Sequence, residues 1–202
     1  LVKFRHIYDP LDMGVQEFHY NEIARKCGIN VPDFKLMNGK YFTTRRFDIA
    51  ENGERVHVAT CGGLLCLSLS SSVLDYNNLL ALTGFLTQNG KDVEEMFRRM
   101  VFNYLTVNKD DHCKNFSFMT TKSKEGKWEW RLAPAYDLTL CTAGYNGEHA
   151  TSVNGTGHPT LEDFIAVGSK TRMDRKRCME IFEKVFENCG DILHPDCIVP
   201  HY

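Results

Sequence analysis

The run NKDDHCKNFSF, residues 108–118, gathers two acids, a histidine, two lysines and two amides, then closes on an apolar, strand-like tail. Asp110 and Asn115 stand five positions apart, and Asp137 follows Asn115 by 22 residues (137 − 115). Between Asn115 and Asp137 lie two alternating segments joined by a polar turn. If these fold back as a hairpin their ends meet, and Asn115 and Asp137 become neighbours. Their side-chain oxygens are hard ligands suited to Mg2+, which takes one or two protein oxygens and keeps waters and phosphate oxygens for the rest of its shell. Asp110, offset by the turn, points to the same place without being needed as a ligand. It is then free to accept a proton from a hydroxyl nucleophile. Lys114 can neutralise a transferring phosphoryl group. Asp111 reads as a cap on the turn. His112 reads as a turn residue bonded to the backbone or orienting Asp110. Asp and Asn are ordinary turn residues, so the spacing gains its weight from the hairpin.

Leu1–Arg5 alternates as a strand, and residues 15–28 carry Val15, Phe18, Ile23 and Cys27 near helical spacing with Gly28 as a stop. After INVPDFKL and an Asn38-Gly39-Lys40 turn, residues 40–49 are rich in aromatic and β-branched types and read as a strand. Residues 52–63 read as a second hairpin turn and strand. The first sixty residues are therefore strand, helix and a small antiparallel sheet. Residues 72–90 read as a helix ending at Asn89-Gly90. Residues 91–108 are the clearest helix, with Val93, Met96, Phe97, Met100, Val101, Tyr104 and Leu105 in one apolar stripe. The hairpin pairs NFSFMTT with KWEWRLA, and Trp128 and Trp130 read as packing residues. A Gly-rich loop over 143–160 leads to helices at 161–170 and 173–190, the second with an Asp174 cap and a Gly190 stop. Arg98 and Arg99 read as a helix face, and the basic run 169–177 as a solvated helix start. The expectation is an α+β, two-lobed, protein-kinase-like fold. Residues 1–50 form a partial small sheet lobe, and residues 51–202 form a helical lobe carrying the hairpin.

Asp-x-x-x-x-Asn with a downstream metal-binding Asp is the catalytic-loop logic of protein kinases. VNKDDHCKNFSF followed by LAPAYDLTL resembles the signature pair of the HipA family, bacterial serine/threonine kinases of toxin–antitoxin modules. LVKF resembles that family's ATP-binding lysine strand. VQEFHYNEIARKCGINVPDFKL resembles the helix and turn that follow, and TTRRFD the hinge strand. The resemblance implies that Lys3 binds the α- and β-phosphates and that Glu17 is the acid able to pair with it. It puts Arg46 and Phe47 at the hinge, Asp110 as catalytic base, and His112, Lys114 and Asn115 on the nucleotide side of the loop. It puts Tyr136 beside the nucleotide and Asn115 and Asp137 on Mg2+. It implies ATP as co-substrate, a protein substrate such as an aminoacyl-tRNA synthetase, and a HipB-like DNA-binding antitoxin that supplies any contact with DNA. The family's Gly-rich phosphate-covering loop precedes the lysine strand, whereas this sequence starts at Leu1. NGTGHPT, residues 154–160, belongs to the other lobe and is not given that role. The C-terminal helical region also reads as shorter than in longer family members. The expectation is a weakly clamped triphosphate unless the loop comes from elsewhere. The alternative is a catalytically impaired relative that binds only nucleotide or a partner.

With 202 residues, 43% hydrophobic and 25% charged, the composition is that of a globular domain able to build its own core. A net charge of −2 points to neither nucleic acid nor a membrane surface, and no apolar run reaches the ~20 residues of a membrane span. The eight cysteines are scattered without a C-x-x-C pair, which reads as reduced thiols in a cytoplasmic protein rather than a disulfide framework or a zinc site. A metal-dependent phosphohydrolase built on Asp110-Asp111-His112 would need further His/Asp pairs at helical spacing, and the sequence has none.

Overall fold

The computed structural model describes residues 1–193 apart from residues 8, 69–73, 124 and 145. Ser72 and Val73 of the expected helix, Lys124 of the hairpin turn, Tyr145 of the Gly-rich loop, Cys197 and the tail 194–202 lie outside the described residues.

Helix α1, Met13–Lys26, lies across a two-stranded antiparallel ribbon of β1, Phe34–Met37, and β2, Tyr41–Thr44. Edge-on contact of Phe18 with Phe34, ring centres 5.4 Å apart, seats the helix on the ribbon. The turn between the strands uses left-handed backbone at Asn38 and Gly39, which those residue types adopt at little cost. Leu1–Lys3 runs along the far edge of β2, with Lys3 N donating to Phe42 O and Thr44 N to Leu1 O, both at 3.0 Å. The inward face of α1 differs from the expected stripe. Val15 is exposed, whereas Glu17 is buried among Tyr20, Asn21, Ile23 and Ala24.

The strand expected over 40–49 stops at Thr44. A second turn does follow, closed by the Ile49–Arg55 bridge. Strand β3, Val58–Thr60, then leaves the ribbon and pairs with a later hairpin. A short helix α2, Cys61–Leu64, is capped by Thr60 Oγ1. The two-residue strand β4, Leu74–Asp75, precedes α3, Tyr76–Thr87, and Asp75 accepts from Asn77 N as its N-cap. Left-handed Gln88 ends α3 one residue before Asn89, which instead caps α4, Gly90–Leu105. Every residue of the predicted α4 stripe is buried. Strands β5, Ser117–Lys122, and β6, Trp128–Leu132, form the expected hairpin and complete a β3-β5-β6 sheet. Trp128 does not pack. It is 68% exposed, with the Lys122 ammonium over its ring, while Trp130 meets His57 edge-on.

Strand β7, Thr151–Ser152, pairs parallel with β4. Helices α5, Leu161–Ser169, and α6, Arg175–Cys189, follow, and a 3-10 turn closes the described chain. Asp174 caps α6 as expected. Two arginines of the basic run are occupied: Arg175 by Glu162, Arg177 by Glu94 and Glu180. Arg98 and Arg99 share Glu95 on their own helix. One hydrophobic core runs from Tyr20 of α1 through α4 to Val185 of α6, so α1 is docked on the helical part as well as on the ribbon. Tyr20 Oη seals that contact by donating to Thr106 O at 2.8 Å.

Candidate active site

Backbone stitching brings the distant motifs together. Past α4, Val107 has a left-handed backbone, φ 54°, a conformation that costs a β-branched residue ~1–3 kcal/mol and swings the chain off the helix axis. Cys141 N donates to Val107 O and Lys109 N to Cys141 O, each at 3.0 Å, so the strand-like approach to Asp110 is pinned to the segment just after Asp137. At the hairpin's open end, Ala133 N donates to Ser117 O, and Tyr136 Oη donates to Lys114 O at 2.6 Å. Asp137 itself is left-handed, φ 53°, a conformation that Asp tolerates better than most residues.

Lys3 is the hub of the resulting cluster. Its Nζ lies 3.0 and 3.1 Å from the two carboxylate oxygens of Glu17 and 3.0 Å from Asp137 Oδ1. Burial lowers the Lys3 pKa, but the two carboxylates outweigh it and hold the ammonium above the usual lysine range. Burial pushes the Glu17 carboxyl up, and Lys3 reverses only part of that. Asn115 Nδ2 donates to Asp110 O at 2.7 Å, which commits the amide nitrogen and leaves its oxygen for a cation. Burial also raises Asp110. His112, with Nε2 3.7 Å from Asp110 Oδ1, opposes that rise, while Asp137 and Asp111 add to it. Glu17, Lys3, Asp110 and Asp137 are thus one electrostatic unit, to which Asn115 is tied through the Asp110 carbonyl.

Two cavities flank this unit. One of about 470 Å3 is lined by Lys3, Glu17, Arg46, Phe47, Tyr136 and Asp137. Phe47 stacks on Tyr136, centres 5.7 Å apart and planes 29° from parallel, which makes a flat apolar wall. The Arg46 guanidinium at its rim is held by Asp48. The other cavity, about 860 Å3, holds Asp110 and His112, and Gly155 and Gly157 of the 154–160 loop line it rather than the Lys3 side. Lys114 is not brought into the cluster. Its side chain is exposed and its ammonium makes no hydrogen bond or ion pair among the described residues. His112 has both contacts read for it, since Nδ1 also accepts from Lys114 N at 3.3 Å.

Asp111 is not a turn cap. It is 1% exposed and accepts from Tyr76 Oη at 2.9 Å and Thr151 N at 3.2 Å, with His149 Nδ1 at 3.1 Å. Thr151 Oγ1 in turn donates to the Asp111 carbonyl. This buried anchor ties the loop next to Asp110 to α3 and β7. Its partners sit 35 to 40 residues away and follow no period, so nothing in the sequence marked it.

The described residues hold no group of three or more His, Cys, Asp or Glu able to cage a metal. Asn115 Oδ1 and the Asp137 carboxylate are hard oxygen donors, the type Mg2+ takes when phosphates and waters fill the rest of its shell.

The HipA-like C-terminal domain family model matches residues 1–192. Y4dM of Sinorhizobium fredii, a kinase in name, is 27% identical over 155 residues, covering 68% of this chain and 36% of its own. A Haemophilus influenzae protein, also a kinase in name, is 27% identical over 133 residues, covering 57% and 38%. The chain therefore spans a little over a third of these curated relatives. Among solved structures, Shewanella oneidensis HipA, in a complex with HipB and operator DNA, superposes with a TM-score of 0.72 at 21% identity, covering 96% of this chain and 52% of that one. The Helicobacter pylori proinflammatory kinase CtkA gives 0.54 at 13% identity, covering 94% and 86%. The α+β kinase-like fold is common to all three structures, and the chain belongs to the HipA-like C-terminal domain family.

Proposed function

We propose that this chain is the core of an ATP- and Mg2+-dependent protein serine/threonine kinase of HipA type, the toxin of a bacterial toxin–antitoxin module. The observation that carries the reading is the Lys3 ammonium held between Glu17 and Asp137 at 3.0–3.1 Å, beside Asp110. A lysine fixed by a buried acid and aimed at a cleft is what a phosphate-binding cation needs, because its charge is placed before the ligand arrives. In this reading Lys3 binds the α/β-phosphates, with Glu17 orienting it. The Phe47–Tyr136 wall and the backbone around Arg46 receive the adenine. Asn115 and Asp137 hold Mg2+, which when bound neutralises charge on the phosphates. Asp110 takes the proton of the acceptor hydroxyl, and burial favours this by raising its affinity for that proton. His112 keeps Asp110 oriented. Lys114 swings in from solvent to meet the transferring phosphoryl. The boundary between a partial nucleotide-side lobe and the helical lobe falls near residue 50.

The same reading proposes a HipB-like antitoxin as partner, by analogy with the Shewanella complex, so that DNA is met only through that partner. It proposes a protein substrate such as an aminoacyl-tRNA synthetase. It also proposes a cytoplasmic setting, which the seven described free cysteines suit. Transfer from radiolabelled ATP by the full-length protein, against an Asp110→Asn variant, tests it. The variant is expected to lose on the order of 10²–10⁴-fold in rate. If wild type labels no more than the variant yet still binds nucleotide, the chain is a nucleotide-binding module and not a kinase.

A further inference from the structure

The cavity of about 470 Å3 is lined by a polar side chain that the nucleotide reading leaves without a task, Asn21. It stands one helical turn past Glu17 on α1 and shares the lining with Phe42, Ala135 and the Phe47–Tyr136 stack. Asn21 is only 3% exposed. Its Nδ2 donates to Glu17 O at 2.8 Å. That bond decides which way round the amide lies, because the reverse orientation would set two acceptor oxygens against each other.

The amide oxygen is the unused atom. Among the described residues Asn21 Oδ1 accepts no hydrogen bond. It is also not sealed off. The fully buried side-chain atoms without a hydrogen-bond partner are others, Asn77 Oδ1 and Asn108 Oδ1 among them. The little of Asn21 that is exposed therefore includes Oδ1, and it is exposed to this cavity. The charged groups around it are committed: Lys3 to Glu17 and Asp137, Arg46 to Asp48, and Arg45 to Glu51. Asn21 Oδ1 is thus a neutral acceptor, fixed in direction, in a pocket whose wall is a pair of stacked rings.

We propose that Asn21 selects the base of the nucleotide: its Oδ1 accepts a hydrogen bond from the exocyclic amino group of adenine and disfavours purines that carry a carbonyl there. The inference rests on the nucleotide reading of this cavity and adds a specificity-determining residue to it. Guanine and hypoxanthine present an oxygen at the ring position where adenine has its amino group. Against Asn21 Oδ1 that oxygen sets acceptor against acceptor out of water. The amide cannot turn its nitrogen to relieve the clash without giving up Glu17 O. A site that hydrogen-bonds a ligand group rejects the analogue lacking it far more strongly than an apolar wall does.

The test is a binding cycle on the full-length protein, with ATP, ITP and 2′-deoxy-ATP each displacing a fluorescent ATP analogue in the presence of Mg2+. ITP carries a carbonyl in place of the adenine amino group. Backbone contacts to the base also tell the two apart, so the change in ratio on substitution, not the ratio itself, measures Asn21. Asn21→Leu is expected to reduce the ATP-to-ITP affinity ratio about tenfold, mainly by weakening ATP. Asn21→Ala, which removes the amide without adding bulk, is expected to do the same, so a leucine that packs badly does not decide the outcome. The ATP-to-deoxy-ATP ratio is expected to stay unchanged in both. An ATP-to-ITP ratio that neither variant moves overturns the proposal. So does a change confined to the deoxy-ATP ratio, which would place the amide at the ribose. Wild type that binds none of the three sinks the nucleotide reading, and base selection with it. Base-selective binding without transfer from radiolabelled ATP sinks the kinase reading alone.

Discussion

Removing the Lys3 ammonium should destabilise the protein mainly through Glu17, and the size of the effect follows from burial. At 3.0 Å and an effective dielectric of about 20, each ion pair has a gross attraction of ~5 kcal/mol. Desolvation and screening return most of it. The Asp137 leg joins side chains 36% and 50% exposed, so it nets ~0.5 kcal/mol. The Glu17 side chain is only 3% exposed, and leaving it unpaired approaches the ~3–5 kcal/mol of a broken buried pair, discounted to about 2 kcal/mol for Lys3's own exposure. Lys3→Met should then lower Tm by about 4–8 °C at this chain length. Glu17→Gln should cost about 1 kcal/mol. The double variant should cost little more than the larger single, a coupling of about 1–2 kcal/mol in a urea-denaturation cycle. The deficit of Lys3→Met must also shrink as pH falls. Burial already holds Glu17 above its ordinary carboxyl value, and without Lys3 it rises further, so protonation removes the orphaned charge. In wild type the Lys3 pKa is raised, so its contribution is complete below the ordinary lysine value of 10.5 and is lost as pH climbs through the folded one. Additive costs within ~0.5 kcal/mol, or a deficit that grows in acid, would refute the reasoning.

His112→Gln should shift the acid limb of kcat/KM to higher pH, because His112 opposes the burial that raises Asp110 and the base must be ionised to act; an unmoved limb in the pH–rate profile would deny that link. Tyr76→Phe deletes a buried donor to Asp111 and the acceptor of Asn103 Nδ2, and should cost ~1–3 kcal/mol by urea denaturation with kcat falling more than nucleotide affinity. Gly168→Ala would bring a methyl to 2.4 Å from Cys178 Sγ and 3.0 Å from Phe97, costing ~1–3 kcal/mol; adding Cys178→Ala should recover part of it, measured as the denaturation midpoint.

What the sequence revealed tracks how local each cause is. The α4 stripe repeats at helical spacing within one element, so period alone identified its buried face. The β5–β6 hairpin was legible from alternation around a turn, and with it the return of the chain that brings Tyr136 Oη to Lys114 O. Nothing in the helix's own pattern marks Glu17 as buried, because its partner, Lys3, lies outside that helix; a resemblance rather than a pattern drew attention to the pair. β3 gave no sign that it would leave β2 for β5, since three residues carry too little register information to choose a partner. The β4–β7 pair, two residues long, was likewise invisible, and the Asp111 anchor depends on the alignment that pair sets.

The two legs of the Lys3 cluster also differ in what they permit. Lys3 reaches the cleft from a segment fixed to β2 by backbone bonds, whereas the segment just after Asp137 is pinned through Cys141 to the approach to Asp110. Any nucleotide bound as proposed requires Lys3 to give up Asp137 to a cation while keeping its own position. The burial asymmetry makes that exchange feasible. Glu17 is almost wholly desolvated and loses heavily if left alone, so it retains the lysine, while half-exposed Asp137 can trade one charge partner for another at small cost. A cluster with the burial reversed would hold the metal ligand and release the phosphate-binding lysine, the wrong way round for a phosphoryl-transfer site.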